Sequence, residues 1–184
     1  MAGIVLVTGG CRSGKSRFAL EKANSVGGKK FFLATCPRID SEMEERIQRH
    51  QQERTDWDTI EEELELTSVF DSIPSGSVVL LDCLSLWINN LMYDAKNKNL
   101  DLTQDKIKAA CTKLGQHILD SKAKHVFIVT NEVGMGLVPE NKDGRLYRDL
   151  LGICNQTFAF IANEVYFLVS GIPVRIKPSL EINS

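Results

Sequence analysis

Eight residues near the start of the chain, Gly9-Gly10-Cys11-Arg12-Ser13-Gly14-Lys15-Ser16, have the spacing G-x-x-x-x-G-K-S. In such a loop successive backbone N–H groups turn inward around phosphate oxygens, and glycine leaves room where a side chain would block the approach. Lys15 can reach the β- and γ-phosphates, and Ser16 can hold Mg²⁺. The loop follows the apolar run Ile4-Val5-Leu6-Val7-Thr8 and leads into a helical pattern from Arg17 to Ala23. That order aims the positive end of a helix at the same anion. The spacing predicts binding of a nucleoside triphosphate, with Lys15 as a catalytic charge.

Other residues have suitable chemistry. Asp82 ends the apolar run Val78-Val79-Leu80-Leu81, the place of a carboxylate that orders Mg²⁺ directly or through water. Its alternative is to cap the helical pattern that begins nearby. Glu132 follows a later apolar run and could support the same ion or take a proton. Arg46, His50 and Arg54 are spaced i, i+4, i+8, one ridge of a helix. Two guanidiniums flanking an imidazole suit phosphate and keep the ring neutral, the form that acts as a nucleophile. A solvated cationic face has the same pattern. Asn141-Lys142-Asp143-Gly144 is not the guanine-reading N-K-x-D motif, because Gly144 stands where the aspartate belongs. The five cysteines and three histidines do not cluster, so neither a zinc site nor a disulfide framework is expected.

These residues need elements to position them. Phe31 to Thr35, Val78 to Asp82 and Val126 to Thr130 are short apolar runs of buried-strand length. Ser41 and Glu44 form a capping box for a helix reaching about Glu53. Asp58 to Asp71 is read as a helix end packing on the sheet, Leu84 to Tyr93 as a helix, and Asp94 to Asp101 as a polar loop. Amphipathic helices are expected from Thr103 to Lys122 and from Arg145 to Asn163. Val165 to Val169, a Ser170-Gly171 turn and Val174 to Ile176 make a closing strand pair. Almost wholly apolar strands alternating with helices call for a P-loop-type α/β fold: a mostly parallel sheet covered on both faces. Its carboxyl edge would gather Gly9 to Ser16, Thr35 to Arg38, Asp82 and Thr130 to Glu132. His125 begins a strand and His117 lies inside a helix, which are structural positions.

At 184 residues one domain spanning 1–184 is expected. A hydrophobic content of 43% and a charged content of 25% are those of an ordinary globular protein. The net charge of -2 gives no footprint for nucleic acid. No apolar run is long enough to span a membrane, and the expected compartment is the cytoplasm.

The segments Leu6 to Arg17, Ala34-Thr35, Asp40 to His50, Arg54, Trp57, Thr59, Glu61-Glu62, Leu80 to Cys83, Thr130 to Asn141 and Val169 to Ile172 together resemble a known family. It is the bifunctional adenosylcobinamide kinase/adenosylcobinamide-phosphate guanylyltransferase family of cobalamin biosynthesis. The T-N-E-V-G-x-G-x-V-P stretch and the R-I-x-x-H helix make the resemblance specific. It implies two steps: phosphorylation of the aminopropanol hydroxyl of adenosylcobinamide by ATP or GTP, then transfer of GMP from GTP through a guanylylated histidine. That histidine falls on His50. The implied GTP contacts fall on Gly9 to Ser16, Ala34, Thr35, Cys36, Gln51, Gln52, Glu53, Arg54, Glu62 and Asp82, with Mg²⁺ on Ser16 and Asp82. Homo-oligomers, commonly trimers, are also implied. Gln51-Gln52-Glu53 stand where a basic residue often follows the histidine, Asp82 where some relatives have glutamate, and Cys11 where alanine is usual. Two other readings fit a P-loop: a plain small-molecule kinase in which His50 and its arginines only bind phosphate, and a nucleotide-dependent switch or assembly ATPase.

Overall fold

A computed structural model describes residues 1–37 and 56–177. In chain order the elements are β1 (Gly3–Gly9), α1 (Lys15–Asn24), β2 (Lys30–Ala34), β3 (Trp57–Glu61), α2 (Leu66–Ser72), β4 (Val78–Asp82), α3 (Leu84–Asn97), α4 (Gln104–Asp120), β5 (His125–Val129), α5 (Lys142–Ile161), β6 (Glu164–Val169) and β7 (Ile172–Lys177). The helix expected after Ser41, with Arg46, His50 and Arg54, lies outside the described residues.

The seven strands of the described residues join one sheet in the order β3-β2-β4-β5-β1-β6-β7. β1 to β6 run parallel, and β7 returns antiparallel along β6. The central strands β1, β4 and β5 are apolar because both faces are buried. Ile4, Leu6, Leu33, Val79, Leu81, Val126 and Ile128 pack into one core with α2, α3, α4 and α5. The alternate residues Val5, Val7, Val78, Leu80, Phe127 and Val129 join Ala19 and Ala23 of α1 on the opposite face. Small residues on α1 let the helix lie close against the sheet, which fixes the loop that precedes it.

The expected parallel sheet, helices on both faces and closing strand pair are all present. Ser170 and Gly171, at φ 51° and 84°, form the two-residue hairpin turn. Three expectations need correction. Asp58 to Glu61 is not part of a helix end: with Trp57 it forms β3, an edge strand paired with β2, and the helix begins only at Leu66. α3 continues to Asn97, into the first half of the stretch expected to be a loop, where Ala95 is still buried. α5 starts three residues early at Lys142, because Asn141 caps it by accepting the Gly144 N–H at 2.6 Å. Thr103 caps α4 in the same way, through the Lys106 N–H at 3.3 Å.

Candidate functional site

β1 runs straight into the glycine loop. Gly9 has φ 150°, and a Cβ there would stand 2.5 Å from the Leu168 carbonyl oxygen and 2.9 Å from Ser13 Oγ. Only glycine lets the end of β1 turn so close to β6. Gly14, at φ 90°, turns the chain into α1, which begins with no side-chain cap. Its first N–H groups are therefore donors that an anion can satisfy. The loop is fastened to the β6–β7 hairpin by the Gly171 N–H, which donates to the Ser13 carbonyl at 3.0 Å. Gly10, Cys11 and Arg12 are exposed at its tip, and Ser16 is half-buried.

Lys15 is buried within the loop, its Nζ donating to the Gly10 carbonyl at 2.6 Å. Burial pushes its pKa below the ordinary lysine value, opposed by the negative charge that Cys83, Asp82 and Cys11 can carry. Thr8 Oγ1 and Ser13 Oγ are buried with no hydrogen-bond partner among the described residues. Unpartnered buried hydroxyls are costly. At the root of a phosphate loop they are groups that phosphate oxygens would complete.

Asp82 ends β4, half-buried, while Cys83 stands at the cap position of α3, so Asp82 is not that helix's cap. β5 lies between β4 and β1. Asp82 is thus two strand spacings, about 10 Å, across the sheet from the strand that carries the loop. Among the described residues no group of three or more His, Cys, Asp or Glu could hold a metal. The sparse donors that remain, the Ser16 hydroxyl and the Asp82 carboxylate, suit Mg²⁺, which keeps several waters and borrows phosphate oxygens. Glu132 lies past the end of β5. Its N–H donates to the Gly9 carbonyl at 2.9 Å, and one carboxylate oxygen accepts the Gly134 N–H at 2.7 Å. The Glu132 backbone is thereby tied to the root of the phosphate loop, while its carboxylate braces the turn at Gly134.

Three residues expected at the nucleotide have clear local duties. Ala34 pairs in register with Asp82 on one side and Glu61 on the other. Thr35 is fully buried; its hydroxyl donates to the Cys83 carbonyl at 2.8 Å and accepts the Cys83 N–H at 2.9 Å. Asn90 closes the joint by donating to the Thr35 carbonyl at 2.8 Å. Thr35 therefore clamps the end of β2 to the end of β4 and positions Asp82. Glu62 accepts the Leu64 and Glu65 N–H groups, each at 2.9 Å, and those bonds hold its pKa below the ordinary carboxylate value. Cys36 is half-buried beside them. His50, Gln51, Gln52, Glu53 and Arg54 lie outside the described residues.

Thr35→Val keeps the shape but leaves two buried backbone groups of Cys83 unpaired. A loss of about 2–4 kcal/mol of stability is expected, against about 1 for Thr35→Ser, which retains the hydroxyl. Urea titration of both variants checks this. Equal losses in the two would mean the hydroxyl clamp contributes nothing.

A second polar cluster was not anticipated from the sequence. Ser85 Oγ contacts Cys83 Sγ at 2.9 Å and accepts from Asn131 Nδ2 at 2.9 Å. Asn155 of α5 donates to the Asn131 carbonyl at 2.9 Å and accepts the Thr130 hydroxyl at 2.7 Å. Tyr147 donates to the Ser85 carbonyl at 3.2 Å, and burial pushes its hydroxyl up to about 12. Burial, reinforced by Asp82, raises Cys83 to about 11. A thiol so protonated is a packing group and not a nucleophile. The cluster fastens the segments after β4 and β5 to each other and to α5. Asn131 stood inside a stretch already singled out, but its partner Asn155 lay inside an ordinary helical pattern.

A glycine loop between a parallel strand and a helix, a buried lysine inside it and a carboxylate two strands away define a P-loop nucleotide-binding fold. Solved structures agree at the level of fold. A prototypical ATPase from the type III secretion system of pathogenic bacteria matches 91% of this chain at TM-score 0.58 and 10% identity. The ATP synthase subunit NeqB from Nanoarcheaum equitans matches 91% at TM-score 0.54 and 12% identity. This chain spans about half of each, 51% and 45% of their lengths.

Residues 5–176 match the family described as cobinamide kinase / cobinamide phosphate guanyltransferase. A relative from Escherichia coli K12, the bifunctional adenosylcobalamin biosynthesis protein CobU, is 40% identical over 182 residues, covering 95% of this chain and 99% of its own. Its namesake from Salmonella typhimurium LT2 is 36% identical over 190 residues, covering 95% and 99%. The bifunctional adenosylcobalamin biosynthesis protein CobP of Pseudomonas aeruginosa is 34% identical over 174 residues, covering 94% and 96%. The chain belongs to the cobinamide kinase / cobinamide phosphate guanyltransferase family.

Proposed function

We propose that this protein phosphorylates adenosylcobinamide on its aminopropanol hydroxyl with ATP or GTP, and then transfers GMP from GTP to the phosphate so formed. The observation that carries the reading is the phosphate loop, with Lys15 buried in it and Asp82 across β5, in a chain that matches the family over residues 5–176. In the first step the substrate hydroxyl oxygen attacks the γ-phosphorus, its proton leaves, and the bond to the β-phosphate oxygen breaks. In the second, a ring nitrogen of His50 attacks the α-phosphorus of GTP and pyrophosphate departs. A phosphate oxygen of the cobinamide phosphate then displaces the imidazole. One grip on the β- and γ-phosphates serves both steps: it presents the γ-phosphoryl in the first and stabilises the leaving pyrophosphate in the second.

Lys15 supplies positive charge at those phosphates, and the N–H groups from Gly9 to Ser16 supply donors. Gln51, Gln52, Glu53 and Arg54 would flank the guanylylated histidine, with Ala34, Cys36 and Glu62 along the same edge. Thr35 is assigned an indirect part, positioning Asp82. Ser16 and Asp82 would hold Mg²⁺, which neutralises phosphate charge when bound. No helix among the described residues is long and apolar enough to cross a membrane, and a cytoplasmic location goes with this reading. The chain is also proposed to form a homo-oligomer, commonly a trimer in this family. In support, β7 is an outer strand with Ile172, Val174 and Ile176 exposed.

The reading is tested by incubating the protein with Mg²⁺ and GTP labelled at the α-phosphate, then denaturing it. Label stable to alkali and lost in acid is expected, as for a phosphorus–nitrogen bond. GTP bound without covalent label would leave a plain small-molecule kinase.

A further inference from the structure

The segment joining β5 to α5 holds three apolar side chains in water. Met135 is 78% exposed, Leu137 96% and Val138 66%. A loose loop could fold such residues toward the core, but this one is fastened on both sides of its tip. Glu132 ties its root to Gly9 and to Gly134, as described above. Arg148 on α5 donates to the Gly134 carbonyl, and Arg145 donates to the Pro139 carbonyl at 3.0 Å and to that of Glu140. Gly144 has the reason of a close approach: a Cβ there would stand 2.8 Å from Pro139 Cβ, so glycine lets the proline seat against the helix. Between those ties the stretch from Met135 to Val138 is exposed.

Displaying apolar side chains on a braced loop gains nothing for folding, since stability comes from apolar area removed from water. The gain belongs to whatever covers them. The root of the loop is hydrogen-bonded to Gly9, so the segment springs from the same sheet edge as the phosphate loop. Three side chains offer far less than the roughly 800 Å² per partner of a stable protein interface. They suit a compact, rigid, largely apolar ligand, and the unbranched Met135 can adapt to its contour.

We infer that Met135, Leu137 and Val138 form the platform that receives the corrin ring of the acceptor, delivering its side-arm hydroxyl or phosphate toward the phosphate loop. The inference rests on the kinase and guanylyltransferase reading above. Ring and platform meet face to face, while the polar amide arms of the corrinoid remain in water around the rim.

The test is equilibrium dialysis of cobinamide, read by its visible absorbance, against wild type and Leu137→Ser in the presence of a non-hydrolysable GTP analogue. Leu137 is almost wholly exposed, so the variant keeps its fold. Removing one buried leucine from the contact should raise the cobinamide Kd by about tenfold or more, with nucleotide affinity and oligomer mass unchanged. An unchanged cobinamide Kd overturns the platform while leaving the reaction intact. A changed oligomer mass also overturns it, by assigning the tip to a second copy of the chain. Wild type that binds the nucleotide but no cobinamide would instead remove the functional reading itself.

Discussion

Replacing Lys15 by alanine is expected to slow both half-reactions by about 10²–10³-fold, the scale of a lost preorganised charge or donor at a developing anion. The two losses should be similar, because in the proposed mechanism the same ammonium serves the β- and γ-phosphates in both. Stability should not follow activity down. Lys15 is buried against the Gly10 carbonyl, and burial holds its pKa below the ordinary lysine value. A desolvated ammonium is a cost to the fold, only partly offset by the Asp82 carboxylate. Lys15→Ala should therefore melt at or above the wild-type temperature while its kcat/KM collapses. Lys15→Arg should not rescue, because the planar guanidinium does not fit where a compact ammonium lies under a loop carbonyl. Thermal melts and both kinetic assays on the two variants decide this. A joint fall of melting temperature and activity would make Lys15 a scaffold residue.

What was legible in the sequence follows from where its signals come from. The phosphate loop could be read because its work is done by backbone, and backbone turns restrict residue types directly. Gly9 must pass the Leu168 carbonyl, and Gly14 must take a positive φ. The central strands could be read because burial on both faces leaves almost no polar residue in them. β3 could not, since it is an edge strand held by backbone pairing to β2, with Asp58, Thr59 and Glu61 in water. Of its side chains only Trp57 is buried, and the acidic run that follows suggested a helix end instead.

The site was legible to different depths in the same way. Asp82 announced itself as a carboxylate closing an apolar run. Thr35 was singled out for its place at a strand end, but its partners are the backbone atoms of Cys83, 48 residues away. No local pattern carries such a bond. The same holds for Ser85, Asn131 and Asn155, which meet only because β4, β5 and α5 converge. Polar residues that satisfy one another across the sheet look, one at a time, like ordinary polar residues.

The largest selective effect is expected from His50→Ala. GMP transfer should fall by about 10⁴-fold or more, since loss of a covalent nucleophile removes the pathway and not merely part of its stabilisation. Phosphorylation of cobinamide should persist, because its nucleophile is the substrate's own hydroxyl and the phosphate grip lies on β1 and α1, elements that do not contain residue 50. The α-phosphate label should vanish with the transfer activity. His50→Gly extends the argument: imidazole supplied in solution could then take the ring's place, attack the α-phosphorus and pass GMP on. Partial recovery by imidazole, without any change in the kinase step, would tie the loss to the missing nucleophile. Equal losses of both half-reactions, unmoved by imidazole, would instead make His50 a phosphate-binding residue beside Arg46 and Arg54. The chain would then be a kinase whose cationic ridge only holds its nucleotide.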